Sequence, residues 1–158
     1  FELNEILIQN FVTGCTMMMN RPMVTLMSRV EDCDKILMHD WVASILATSV
    51  GKVAFVDTPT MLYRQHGINS VGAKKYGLAL FISKLKEAKM RQSLVDTTVQ
   101  ANVVAELYQD ILDKEKYEFI QQYGTLWKKN KVQRIRFYLK NRVLKKGLPR
   151  KVCQLIVG

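Results

Sequence analysis

Apolar residues recur along this chain at two different periods, and the changes between them mark out its elements. Leu3, Ile6, Leu7 and Phe11 have the spacing of a helix face, with Asn10 a natural end, so a short helix precedes the turn at Gly14. Residues 15–19 form an apolar run of strand length. Asn20-Arg21-Pro22 starts a second helix, because asparagine caps and proline is tolerated in the first turn. His39-Asp40-Trp41 opens a third, apolar over 42–50 and stopped by Gly51. The β-branched run 53–57, a turn at Thr58-Pro59 and a second run over 60–63 then predict two extended segments.

From Tyr76 the period is helical with little interruption. Leu78, Phe81, Ile82, Leu85 and Ala88 make one stripe. Val99, Val103, Leu107 and Ile111 make another, with Val104 and Tyr108 beside it. Phe119, Ile120, Tyr123 and Leu126 supply a third, so three stacked helices are expected, ending near Gly124. In the tail, Val132, Ile135, Tyr138 and Leu139 can face one side with Phe137 near them, while Lys131, Arg134, Lys140 and Arg142 face outward. Gly147-Leu148-Pro149 breaks that pattern before an apolar end, 152–157. No internal repeat or low-complexity stretch occurs.

Composition narrows the class. With 48% hydrophobic and 24% charged residues in 158, a folded body with one ordinary core is expected. No apolar run reaches the ~18 residues that a membrane span needs. The start, Phe1-Glu2-Leu3-Asn4-Glu5, lacks the basic region of a secretory leader and reads as a cut rather than a natural beginning. Cys15, Cys33 and Cys153 are far apart and without Cys-X-X-Cys spacing, which points away from a disulfide framework or a zinc site and towards a reducing cytoplasm. The net charge of +10 is concentrated: from Leu126 onward there are eleven Lys or Arg and no Asp or Glu, while the rest of the chain is nearly balanced.

Three motifs stand in order: Thr13-Gly14-Cys15-Thr16, Met38-His39-Asp40-Trp41 and Tyr63-Arg64-Gln65-His66-Gly67. In combination, over roughly residues 1–73, they resemble the acceptor-side half of a bacterial family 2 glycosyltransferase of the rhamnosyltransferase-like branch. The resemblance implies an α/β fold: residues 1–75 as the acceptor-side part of a GT-A catalytic domain, 76–125 as a helical extension, and 126–158 as basic amphipathic helices. It also implies that the nucleotide-gripping region, with its Asp-X-Asp, lies upstream of Phe1, so that this stretch alone does not catalyse. The whole enzyme would move a sugar, with inversion, from a nucleotide-diphosphate donor to a surface-glycan or lipid-linked acceptor.

The same resemblance assigns roles. Asp40 would be the general base, and Gly14 and Cys15 part of the turn and strand beneath the donor sugar. Among substrate-binding positions, Trp41 would lie beneath the cleft or stack on a sugar ring and His39 stands where many relatives carry Glu; Arg64 or Gln65 would assist at the diphosphate, and His66 would complete the shell of a divalent cation. An imidazole ligand suits Mn²⁺ better than Mg²⁺. The segment 67–73, with two glycines, resembles the family's closing loop.

Taken from the residues alone, each site has a plainer alternative. Gly14 can serve a turn that needs positive φ. Asp40 can cap its own helix. Trp41 can be core, and His66 a structural group after a strand. Asp32-Cys33-Asp34 spells Asp-X-Asp but follows the glycine motif and sits in a polar stretch, so it reads as a solvated loop rather than a metal site.

The basic tail, 128–158, has the make-up of a helix lying on anionic lipid, which predicts a cytoplasmic protein peripheral to the inner face of the plasma membrane. A helix with a solvated basic face is the alternative. Nucleic acid is not an expected partner, because no recognised nucleic-acid module accompanies the charge. Strands without neighbours at 15–19 and 53–57 would leave sheet edges that a second copy can cover, so a homo-oligomer is expected. A non-catalytic helical adaptor, docked on membrane or an acidic partner through the tail, is the competing function.

Overall fold

Capping side chains set where several of the helices begin. The computed structural model describes residues 1–62 and 87–158. Among them seven α-helices follow in order: α1 Leu3–Ile8, α2 Arg21–Met27, α3 His39–Val50, α4 Glu87–Leu107, α5 Lys114–Gly124, α6 Lys131–Lys140 and α7 Leu148–Val157. Asn20 accepts the Met23 N–H at 3.1 Å to start α2, with Pro22 in the first turn. Asp113 accepts the Lys116 N–H at 2.8 Å to start α5. Asn130 and Gln133 bond each other's backbone N–H in a reciprocal box that opens α6. Gly147, at φ 90°, takes a left-handed turn that only glycine adopts cheaply, and α7 starts directly after it.

The long α4 is the central element. Leu94, Ala101, Val104 and Ala105 on it are buried, as is Tyr108 just past its end, and α1, α3, α5 and α7 all pack around it. Its tightest neighbour is α5. A Cβ on Gly124 would stand 2.0 Å from Asn102 Oδ1 and 3.1 Å from the Asn102 backbone N, so only glycine lets the two helices approach this closely. Asn102 Nδ2 then donates to the Gly124 carbonyl at 3.0 Å. One buried cluster runs from Ile6, Leu7 and Ile8 through Val42, Ile45 and Leu46 to Tyr123, Leu126, Tyr138 and Val143. All three stretches expected from the sequence therefore contribute to a common core.

The α/β expectation is wrong for the described residues: they are helical, with no strand. Gly14–Thr16 is a single 3-10 turn and Met17–Met19 continue as irregular chain, where a strand beneath the sugar was expected. Residues 53–57 are also irregular and exposed, Phe55 by 72% and Val56 by 68%. A β-branched run becomes a strand only when a neighbour completes its ladder, and no such neighbour lies among the described residues.

The helices agree with the sequence pattern better in position than in facing. α3 ends at Gly51 and α5 at Gly124, as the pattern predicts. On α4, however, Val99 is half exposed while Val104 is fully buried, as is Tyr108 just beyond the helix, so the inward face is rotated from the expected stripe. On α6, Phe137 and Tyr138 are buried but Val132 and Leu139 face out, so the expected apolar side of the tail is split. Of the second extended run, residues 60–62 are irregular and exposed, while Tyr63 and the stripe from Leu78 to Ala88 lie outside the described side chains.

Candidate functional site

The first two motifs meet. The segment after α1 folds back over the start of α3, and the Asp40 carboxylate, only 3% exposed, holds it there. Asp40 Oδ2 accepts the Gly14 backbone N–H at 2.9 Å, and Oδ1 accepts Asn10 Nδ2 at 3.0 Å. Asn10 in turn accepts the Val12 N–H at 2.9 Å through its own Oδ1, which shapes the bend between α1 and Gly14. Residues separated by 26 positions are thus joined by a direct hydrogen bond.

This geometry decides between some of the sequence alternatives. Asp40 does not cap α3: the cap position is Met38, without a side-chain bond, and Asp40 sits inside the first turn and reaches across to another segment. There a carboxylate also complements the positive end of the helix. Gly14 does not have positive φ. What it needs is room, since a Cβ there would come within 2.7 Å of His39 Nε2 and 3.6 Å of Asp40 Oδ2. His39 and Cys15 are both exposed at the rim of this contact.

Trp41 is half-buried and has a supporting bond, Nε1 donating to the Ile6 carbonyl at 2.6 Å. That bond fixes the indole between α1 and α3. Beside it lies a shallow groove of about 430 Å³, bordered by Leu37, Met38, Trp41, Lys89, Gln92 and Asp96. The entry to α3 is pinned from below by Gln100 of α4, 1% exposed, whose Oε1 accepts the Leu37 N–H at 3.0 Å. A third tether runs from the Tyr108 hydroxyl to the Leu26 carbonyl at 3.0 Å and fixes the end of α2.

Asp32 and Asp34 are exposed, and Asp32 pairs with Lys35 at 3.2 Å and accepts the Asp34 N–H, the arrangement of a solvated turn. Arg64, Gln65 and His66, to which the resemblance gives the diphosphate and the cation, lie outside the described residues. Among the described residues no three His, Cys, Asp or Glu side chains gather closely enough to hold a metal ion. The sequence reading missed Asn10 and Gln100. Asn10 carried a visible signal, a polar amide directly after an apolar helical face, but that signal reads equally as a helix end.

No helix among the described residues is long and apolar enough to cross a membrane. Comparison of the chain with models of known protein families, with curated proteins and with solved structures found no match.

Proposed function

We propose that the chain is part of an inverting sugar transferase that uses a nucleotide-diphosphate donor and a hydroxyl acceptor on a bacterial surface or lipid-linked glycan. The helical fold of the described residues departs from the α/β architecture of the family it resembles, so the proposal rests on the motif residues. The observation that carries it is the Gly14 to Asp40 hydrogen bond, which brings two of the three motifs into one place together with the exposed His39 ring. Three residues that the resemblance singles out, the base Asp40, the turn glycine Gly14 and His39, are thereby neighbours.

In this reading Asp40 takes the proton of the acceptor hydroxyl as its oxygen bonds to the anomeric carbon and the diphosphate departs from the opposite face. Each carboxylate oxygen can accept two hydrogen bonds, so those from Asn10 and Gly14 leave capacity for the acceptor. Both also hold the carboxylate in one orientation. The hydroxyl would enter past Gly14 and His39. A divalent cation at the donor diphosphate would be held by groups outside the described residues, His66 among them. The basic C-terminal helices would keep the protein at the anionic inner face of the plasma membrane.

The test is made in the host cell on the gene as it stands. Exchanging Asp40→Asn should remove one sugar from the surface glycan, read by linkage analysis, while the protein remains at its normal level. An unchanged glycan would refute the base assignment. The helical architecture and basic tail favour a second reading, a non-catalytic adaptor, and that reading expects the glycan composition to survive Asp40→Asn.

A further inference from the structure

α7 packs Cys153 and Val157 inward but turns a separate row of apolar side chains outward. Leu148, Val152 and Ile156, at successive four-residue steps, are 75%, 47% and 58% exposed, while Cys153 and the polar Gln154 face the core. Gln154 is fully buried because it works there: its Oε1 accepts the Lys145 N–H and its Nε2 donates to the Val143 carbonyl, each at 2.8 Å. The helix is therefore anchored by a polar group and presents an aliphatic ridge roughly 12 Å long to the outside. Scattered surface leucines need no explanation, but a contiguous row on one helix does.

The surroundings of the ridge select its occupant. Lys151 is exposed within the same helix, and Lys131 of α6 donates its ammonium to the Ile156 carbonyl, which places a second cation at the far end. No acidic residue follows Glu118, so nothing in this segment repels an anionic surface. The ridge also carries no tyrosine or tryptophan, the anchors that most protein interfaces rely on. Aliphatic side chains flanked by lysines match a bilayer boundary, where the stems enter the acyl region and the ammonium groups meet phosphate.

We infer that the outward face of α7, through Leu148, Val152 and Ile156 with Lys131 and Lys151, is the surface that docks on anionic lipid. The inference rests on the peripheral-membrane part of the proposed function and gives it a specific face, different from the α6 stripe that the sequence pattern suggests.

The purified chain, its Leu148→Glu/Ile156→Glu double variant and a Met18→Glu control are sedimented with phosphatidylglycerol vesicles and with phosphatidylcholine vesicles, their folds matched by circular dichroism. Both positions are exposed, so the fold should be kept. The native chain and the Met18→Glu control should bind phosphatidylglycerol alike and phosphatidylcholine weakly, and the double variant should bind phosphatidylglycerol about tenfold more weakly or less. Equal binding by the double variant would overturn the α7 face while leaving a purely electrostatic membrane attachment standing. No binding by the native chain would overturn both. A native chain that is dimeric by light scattering without lipid, and made monomeric by the double substitution, would assign the ridge to a second copy instead and overturn the inference.

Discussion

At the scale of single residues, the Asp40 carboxylate acts as a staple. It gathers a backbone N–H and a side-chain amide from the segment that follows α1. Removing one partner of a buried polar contact costs more than the contact itself contributes, because the orphaned donors stay dry. Asp40→Ala should therefore lower the unfolding free energy by roughly 2 kcal/mol and Asn10→Ala by about half as much, measured as shifts in the urea midpoint at constant slope. A shift for Asp40→Ala within the ~0.5 kcal/mol typical of surface changes would show that the staple has little weight. The residue scale is also where the sequence was most informative. Gly14, His39 and Asp40 were singled out by the motifs they belong to, and they do come together. Asn10 and Gln100 were not, because a polar residue near a helix end or within a helix is ordinarily a surface residue, and only the fold shows what its amide reaches.

Elements were legible where a local cause fixes them. Asn20 with Pro22, the stop at Gly51 and the end at Gly124 depend on neighbours in sequence, and each is found where the pattern puts it. The strands were misread for a physical reason: Val53, Phe55 and Val56 have the side chains of a strand, but strand formation depends on a partner that the local sequence does not encode. The rotated face of α4 has a similar origin, since Val99 and Val104 are equally apolar and only the packing of the helices around α4 chooses between them. That packing is strict at one point. Gly124→Ala should destabilise the chain by about 1–3 kcal/mol in chemical unfolding, through the collision with Asn102. In the Asn102→Ala background the penalty should shrink, and equal penalties in the two backgrounds would mean the helices relax without meeting.

For the molecule as a whole, the buried tyrosines set an alkaline limit. Burial pushes the Tyr138 phenol up to about 12, against a small opposing pull from Arg134. Burial likewise raises Tyr123 far above its usual value near 10, with Tyr138 adding to the rise, and raises Tyr108 more modestly. A phenol whose proton is held more tightly in the folded state contributes stability that is complete below pH 10 and is lost as the pH climbs through the folded value. Thermal melts should therefore be insensitive to these groups at neutral pH and fall steadily between pH 10 and about 12. Phenolate absorbance that rises in the native state at the ordinary tyrosine pH, with no change in melting, would contradict this.

The three tethers that hold the site to the core share a property with consequences on a longer timescale. Trp41, Tyr108 and Gln100 each grip a main-chain atom, at Ile6, Leu26 and Leu37. A main-chain carbonyl is present whatever side chain that position carries, and an N–H is missing only in proline. The receiving positions are thus free to drift over generations, provided they keep their bulk and avoid proline, while the three gripping residues are not. Substitutions accumulating in the lineage of this protein should accordingly be lopsided, sparing the reaching side chains and wearing away the sequence at their anchor points.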